Sequence, residues 1–246
     1  MREKLFTGPV NKFMLNYGWK NFYSPSICKE STTPWRSFKG FVNFLKGKKI
    51  KSGRVLDLGC GYGAESIYLA KQGFNVTGID INKGAIKFAR DRAKKEQVKT
   101  RFICADALEY LRDCQNESVD ITASASFLHA LKKQERQQHI KQLLRVLKPD
   151  GYLYLITFSA TDPLCQFHCP RRRWMFRKHI INDNFVYFYC HFFTKQELLK
   201  HLSNFQILKF SKEIINYPKS VLQSQIIKKS ITHRRFYFIF AQKNKN

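Results

Sequence analysis

No apolar run in this chain reaches the roughly 18–20 residues that a bilayer-spanning helix requires. The opening stretch, MREKLFTGPVNKFMLNYG, carries charges but no unbroken apolar segment of the secretory kind. Paired cysteines are missing too: the seven present, at 28, 60, 104, 114, 165, 169 and 190, form an odd count without a repeating pattern. That argues against a disulfide framework and for reduced thiols in a cytoplasmic protein. Internal repeats and low-complexity tracts are absent. With 43% hydrophobic and 25% charged residues, wholesale disorder is excluded as well. A chain of 246 residues suffices for one α/β domain, able to bury roughly 70–75% of its unfolded surface.

Negative charge is the scarcest commodity. Asp and Glu number 18 against 44 Lys and Arg, a net charge of +26. Its distribution is uneven: +9 over 1–52, +5 over 53–157 and +12 over 158–246. A field of this sign draws in anions, whether an acidic small molecule, nucleic acid or an anionic membrane surface. A biased composition spread over a solvated surface gives the same numbers.

Residues 54–158 alternate β-rich runs with helical patterns. Strands are expected at 54–58, 74–79, 100–104, 119–123 and 152–158. Helices are expected from Glu65 to Gln72, from the Asn82 cap to about Lys95, over 106–112, and from Lys132 to Leu147, with Pro149-Asp150-Gly151 as a turn. Such alternation implies a parallel sheet with helices on both faces. Residues 160–193 read as irregular, aromatic and Arg-rich. Thr194 opens a helix with Glu197 at the capping-box position, and 205–215 and 234–241 read as strands. The expected organisation is a single domain over 1–246. It comprises an N-terminal cap segment (1–45), a cofactor-binding core (46–158), a cap insertion (159–193), and a C-terminal helix with hairpin strands (194–246).

Val55-Leu-Asp-Leu-Gly-Cys-Gly-Tyr-Gly-Ala-Glu65 places a glycine-rich turn between a strand and a helix. Gly59, Gly61 and Gly63 let a backbone approach a ligand closely. The spacing is G-x-G-x-G, not the G-x-G-x-x-G of dinucleotide sites, and no Gly-Lys-Ser/Thr follows. Asp57 and Glu65 flank the turn, which suits a cationic or zwitterionic ligand better than a pyrophosphate. Asp80 ends the second strand, where a carboxylate can accept ribose hydroxyls. Asp106 follows the third, where it can accept from an adenine amine. Each also has a plainer role open to it: the glycines as a strand-to-helix turn, the two aspartates as helix caps.

With those motifs in order, the chain resembles a class I S-adenosylmethionine-dependent methyltransferase over roughly 52–158. Val55–Glu65 resembles the first motif; Asp80, Asp106, Val119–Leu131 and Leu144–Thr157 resemble later ones. The resemblance implies a Rossmann-like, doubly wound, seven-stranded sheet whose last strand is antiparallel, with cap segments at the N-terminus and after the fifth strand. It implies S-adenosylmethionine as cofactor, held by Asp57, Gly59, Cys60, Gly61, Gly63, Glu65, Asp80, Ile81, Asp106, Ala107, Ser124 and Phe127. The Thr-Pro-Trp35 element is similar to one in tellurite-resistance and thiopurine-type small-molecule methyltransferases.

His129, just beyond the fourth strand, stands where it can take a proton from a hydroxyl or thiol, or else hydrogen-bond backbone and form a pocket wall. No Asn/Asp-Pro-Pro-Tyr/Phe signature ends the fourth strand, which reads Ala-Ser-Ala-Ser-Phe127, and no Pro-Cys or Thr-Cys nucleophile follows it. Transfer to O, S or N of a substrate under the cap is therefore expected. The substrate candidates are Tyr17, Trp19, Tyr23, Trp35, Arg173 and Trp174, which would make an aromatic pocket with a basic mouth, or a small core beneath the cap. Cys165, His168 and Cys169 depart from zinc-ligand spacing, so no metal is expected. The leading expectation is methylation of a small, possibly anionic, molecule. The alternative is a tRNA-type RNA methyltransferase using the basic flanks and Arg171-Arg-Arg-Trp174; a cofactor-binding module without catalysis is a third reading.

Overall fold

The computed structural model of the chain describes residues 32–171, 173–181, 184–216 and 233–244. Helix α1 (Arg36–Gly47) comes first. Then follow β1 (Arg54–Leu58), α2 (Ala64–Lys71), β2 (Asn75–Asp80), α3 (Lys83–Lys95), β3 (Arg101–Cys104), α4 (Ala107–Asp113), β4 (Val119–Ala125), a 3-10 turn (Leu128–Ala130), α5 (Lys133–Val146) and β5 (Leu147–Phe158). Beyond them lie α6 (Pro163–His168), β6 (Trp174–Ile181), β7 (Asn184–His191), α7 (Lys195–His201), β8 (Phe205–Asn216) and β9 (His233–Lys243).

Seven strands form one sheet in the order β3-β2-β1-β4-β5-β9-β8. The first five run parallel, and β9 lies antiparallel between β5 and β8. This is the Rossmann-like doubly wound sheet with an antiparallel last strand that the sequence implied. The order reverses between β1 and β4, and at such a switch point ligands bind at the carboxyl ends of the strands.

Alternation along each strand sorts the core into two layers. Val55, Ile121, Tyr154 and Ile156 meet α1 on one face. Leu56, Leu153 and Leu155 meet Leu111, Ile140 and Leu143 of α4 and α5 on the other. Phe38, Phe41, Val42 and Leu45 of α1 are fully buried, each worth about 2 kcal/mol of apolar burial. This stretch covers the sheet as the sequence suggested, but as a permanent core layer. Residues 1–31 lie outside the described residues.

Two local readings change. The Pro149-Asp150-Gly151 turn sits inside β5, where pairing jumps from Val119↔Leu147 to Ile121↔Tyr152 and Asp150 takes φ +62°. The region read as irregular contains α6 and an antiparallel ribbon, β6–β7. The ribbon orders because its two faces have separate partners. Met175 and Cys190 join the main core, while Tyr189 and His191 turn toward α5 and α7. Among the described residues, no helix is long and apolar enough to cross a membrane.

Candidate cofactor and acceptor site

The turn after β1 runs through Gly59, Gly61 and Gly63 at φ +73°, +51° and +73°. The amides of Gly59 and Cys60 donate to the Ile79 carbonyl at 2.8 and 3.0 Å, closing the turn onto β2. A Cβ on Gly59 would stand 2.8 Å from the Phe127 ring, and one on Gly63 would stand 2.7 Å from the Phe102 ring. Backbone conformation and close approach thus both demand glycine here. Phe127 packs on the turn. Ser126, just before it, is a non-glycine residue at φ +60°, a strained conformation at the carboxyl end of β4.

Three carboxylates crowd this corner. Asp57 is buried and its Oδ2 accepts the Ser66 hydroxyl at 2.6 Å. Glu65, opening α2, accepts the Trp35 amide at 3.1 Å. Asp80 accepts the Gly61 amide at 2.9 Å and the Asn82 amide at 2.8 Å, one on each oxygen. Among the described residues, none of the three is in an ion pair. Burial pushes all three protonation equilibria upward. For Asp57, burial together with the nearby charges of Glu65 and Asp80 brings the pKa to about 7. Such a corner favours a ligand that brings positive charge, and a pyrophosphate would add charge of the wrong sign.

Asp80 and Cys104 are register partners, so the ends of β2 and β3 lie side by side. Asp106, two residues on, caps α4 by accepting the Leu108 amide at 2.8 Å, so its cap role is realised. Ala107 is buried in the core beside it, and the Ile81 carbonyl accepts the Cys104 thiol at 3.7 Å.

Several expected site residues face elsewhere. The Cys60 sulfur lies under Gly78, whose added Cβ would approach it to 2.9 Å, so Cys60 offers its backbone alone. The Ser124 hydroxyl lies 3.3 Å from His139 Nε2, buried against α5, because strand alternation sends Ala123 to the opposite face. The Trp35 ring packs on Phe236 and Phe238 of β9 at 5.1 and 6.0 Å, so it belongs to the core. Tyr17, Trp19 and Tyr23 lie outside the described residues.

His129 is buried in the 3-10 turn, its ring 4.0 Å from the Phe158 ring and inclined by 31°. The Arg234 guanidinium sits 4.1 Å over Phe158 and is fixed through Nε to both oxygens of buried Asp162, at 3.0 and 2.9 Å. Phe158 thus packs against both His129 and the Arg234 guanidinium. Trp174 stacks on Tyr189 at 6.2 Å, and Arg173 reaches Glu197 at 3.8 Å. Thr194 does cap α7, accepting the Glu197 amide at 3.1 Å, while the Glu197 carboxylate binds His191 at 2.7 Å.

Ser66, Arg136, Asp162, Tyr189 and Arg234 had no sequence signal. Asp162 and Arg234 stand 72 residues apart, and only the antiparallel placement of β9 brings them together. A cleft of about 520 Å³ opens at the opposite end of the sheet, between Arg54, Asn75, Asp120 and Lys148. It lies at the amino ends of the strands, away from the glycine turn and its carboxylates.

A family model described as a methyltransferase domain matches residues 55–151. YqeM of Bacillus subtilis is 39% identical over 149 residues, covering 60% of this chain and 57% of that protein. A ubiquinone biosynthesis O-methyltransferase of Coxiella burnetii is 34% identical over 115 residues, covering 47% of this chain and 45% of that protein. The chain thus spans about half the length of the curated relatives it matches. Among solved structures, a SAM-dependent methyltransferase of Methanosarcina mazei is similar with a TM-score of 0.68 at 26% identity, covering 87% of this chain and 100% of that one.

Proposed function

We propose, on the premise that this chain belongs to the class I S-adenosylmethionine-dependent methyltransferases, that it binds S-adenosylmethionine and transfers a methyl group to O, S or N of a small-molecule acceptor. The observation that carries the reading is the group of three buried carboxylates, without an ion-pair partner among the described residues, around a glycine turn at the switch point. Backbone groups of Gly59, Gly61 and Gly63, with Asp57 and Glu65, hold the charged amino-acid end of the cofactor. Asp80 holds the ribose: each of its oxygens already takes one amide and has a lone pair left for a hydroxyl. Asp106, with Ile81 and Ala107 beside it, borders the adenine.

The cofactor, when bound, supplies a methyl group on a sulfonium, already a good leaving group. The chain's own task is alignment of the acceptor and exclusion of water. Phe127 and the His129–Phe158–Arg234 stack form the wall on which an acceptor lies, and His129 takes the acceptor's proton where it is a hydroxyl or thiol. A small acceptor is supported over RNA by the engagement of Arg173 and Trp174 with Glu197 and Tyr189 of the protein itself.

Calorimetry on the full chain tests the cofactor reading. Micromolar binding of S-adenosylhomocysteine, weakened at least about thirtyfold in Asp80→Ala, is expected. Binding of a nicotinamide or flavin dinucleotide in place of both adenosyl compounds overturns it. Turnover of His129→Gln at saturating cofactor separates base from wall: a near-normal rate leaves His129 a wall residue.

A further inference from the structure

Beyond the glycine turn, the same edge of the sheet carries a second charged cluster with the opposite balance. It lies where the 3-10 turn, the first turn of α5, the ribbon and α7 meet. Arg136 of α5 is 3% exposed, and its Nη1 donates to the Leu131 carbonyl at 2.7 Å and the Tyr189 hydroxyl at 3.3 Å. Its guanidinium lies 5.4 Å over the Phe193 ring. Arg173 and His191 reach the cluster from the ribbon, Glu197 and His201 from α7. Among the described residues, Glu197 is the one carboxylate of the group, held by His191 at 2.7 Å and Arg173 at 3.8 Å. Burial lowers the proton affinity of His191 and of His201. With both histidines neutral, two guanidiniums among the described residues face one carboxylate, and one positive charge is left over there.

The leftover charge coincides with unused hydrogen-bonding capacity. Arg136 Nε, Arg173 Nε, His191 Nδ1 and Glu197 Oε2 are all buried without a hydrogen bond among the described residues. The two guanidinium nitrogens among them, Arg136 Nε and Arg173 Nε, are donors that call for an acceptor, since a buried donor without a partner is costly. Next to them, Trp174 and Tyr189 present a stacked aromatic pair at 6.2 Å.

We infer that this cluster, centred on Arg136 and walled by Trp174 and Tyr189, receives the carboxylate of a planar acceptor whose nucleophilic atom then faces the glycine turn. A guanidinium is shaped for a carboxylate, offering parallel N–H donors in one plane. The assignment rests on the methyltransferase reading for the word acceptor, but the anion site is a separate physical claim. It pairs a cationic cofactor at the acidic corner with an anionic acceptor at the basic one.

The probes are 4-hydroxybenzoate and 4-hydroxybenzamide, equal in shape and differing in charge. Their binding to the full chain is measured by ligand-observed NMR and calorimetry, with and without saturating S-adenosylhomocysteine. The acid is expected to bind at least about tenfold tighter than the amide. Arg136→Gln is expected to erase that preference while leaving S-adenosylhomocysteine affinity unchanged, and Arg136→Lys to retain part of it. Should Arg136→Gln fail to fold, Arg173→Gln and Tyr189→Phe carry the comparison, each lowering the preference severalfold. Equal affinities, no binding of the acid up to about 10 mM, or an undiminished preference in all the variants overturns the site. If the acid preference holds while no adenosyl compound binds, the anion site stands and the methyltransferase reading falls.

Discussion

The two ends of the sheet's carboxyl edge handle buried charge in opposite ways. Around the glycine turn, Asp57, Glu65 and Asp80 are buried together, held by hydroxyl and amide donors but by no cation in ion-pair distance among the described residues. Around β5, β9 and the ribbon, carboxylates are matched: Asp162 by Arg234, and Glu197 by His191 and Arg173. The first arrangement costs folding free energy that a cationic ligand can return. Among the described residues, the second is self-contained apart from the surplus cation beside Tyr189. Buried charge is thus handled in two ways along a single edge, and each half should respond differently to the loss of a charge.

The largest effect is expected in the matched half. Arg234→Met leaves Asp162 buried without its cation and should cost about 3–5 kcal/mol in urea unfolding. A loss below about 1 kcal/mol would mean that water replaces the guanidinium and that the pair contributes little.

The unmatched half should show the reverse. Asp57 is raised to about 7 in the folded chain from an ordinary 3.8. A carboxyl group raised by folding binds its proton more tightly in the native state, so stability is full below about pH 4 and declines as pH climbs toward 7. The amount at stake is about 4 kcal/mol. Asp57→Asn should therefore be more stable than the parent at pH 8 and indistinguishable near pH 4, while binding the adenosyl cofactor more weakly. Thermal melts at the two pH values, with calorimetry beside them, check each half of that statement. A parent chain whose own melting is flat between pH 4 and 8 would show that Asp57 is already compensated.

A smaller, steric effect tests the glycine turn. Gly59→Ala brings a Cβ to 2.8 Å from Phe127 and keeps φ at +73°, a combined cost of about 2 kcal/mol. The melting temperature should fall by roughly 4–8 °C, and cofactor affinity with it. The smallest change expected is Thr194→Ala, which removes one cap on α7 for about 1 kcal/mol and leaves cofactor affinity alone. If cofactor affinity drops as well, the two halves are coupled more tightly than their separate charge arrangements suggest.

Particular residues show where the sequence was readable. The Val55–Leu58 run, the three glycines, Asp80 at a strand end and Asn82 as a cap are local statements. Each depends on neighbours within a few positions, and each stands in the structure as read. Phe127 lies against the glycine turn because it comes just after β4. The side chains of Ser124 and Cys60 face away from the turn, because period-two alternation fixes which residues share a face but not which face meets the ligand. Trp35 was read as either an acceptor-pocket residue or part of a core beneath the cap; its ring packs into the core on β9 and its amide secures Glu65. The stretch 160–193 read as irregular because a two-stranded ribbon has no signal beyond its aromatic residues until its partners are known.

The alternation of strands and helices, the glycine turn and the acidic corner followed from the sequence alone, since short-range periodicity and backbone sterics act within a few residues; the sheet's seven strands and antiparallel end came from the family resemblance. The matching of charges was a different matter. Which carboxylate meets a guanidinium and which is left to wait for a ligand depends on segments as far apart as Asp162 and Arg234. Only the folded arrangement brings such groups within hydrogen-bonding range and strips the water from around them, and at those distances burial rather than residue type sets the energy of a charge.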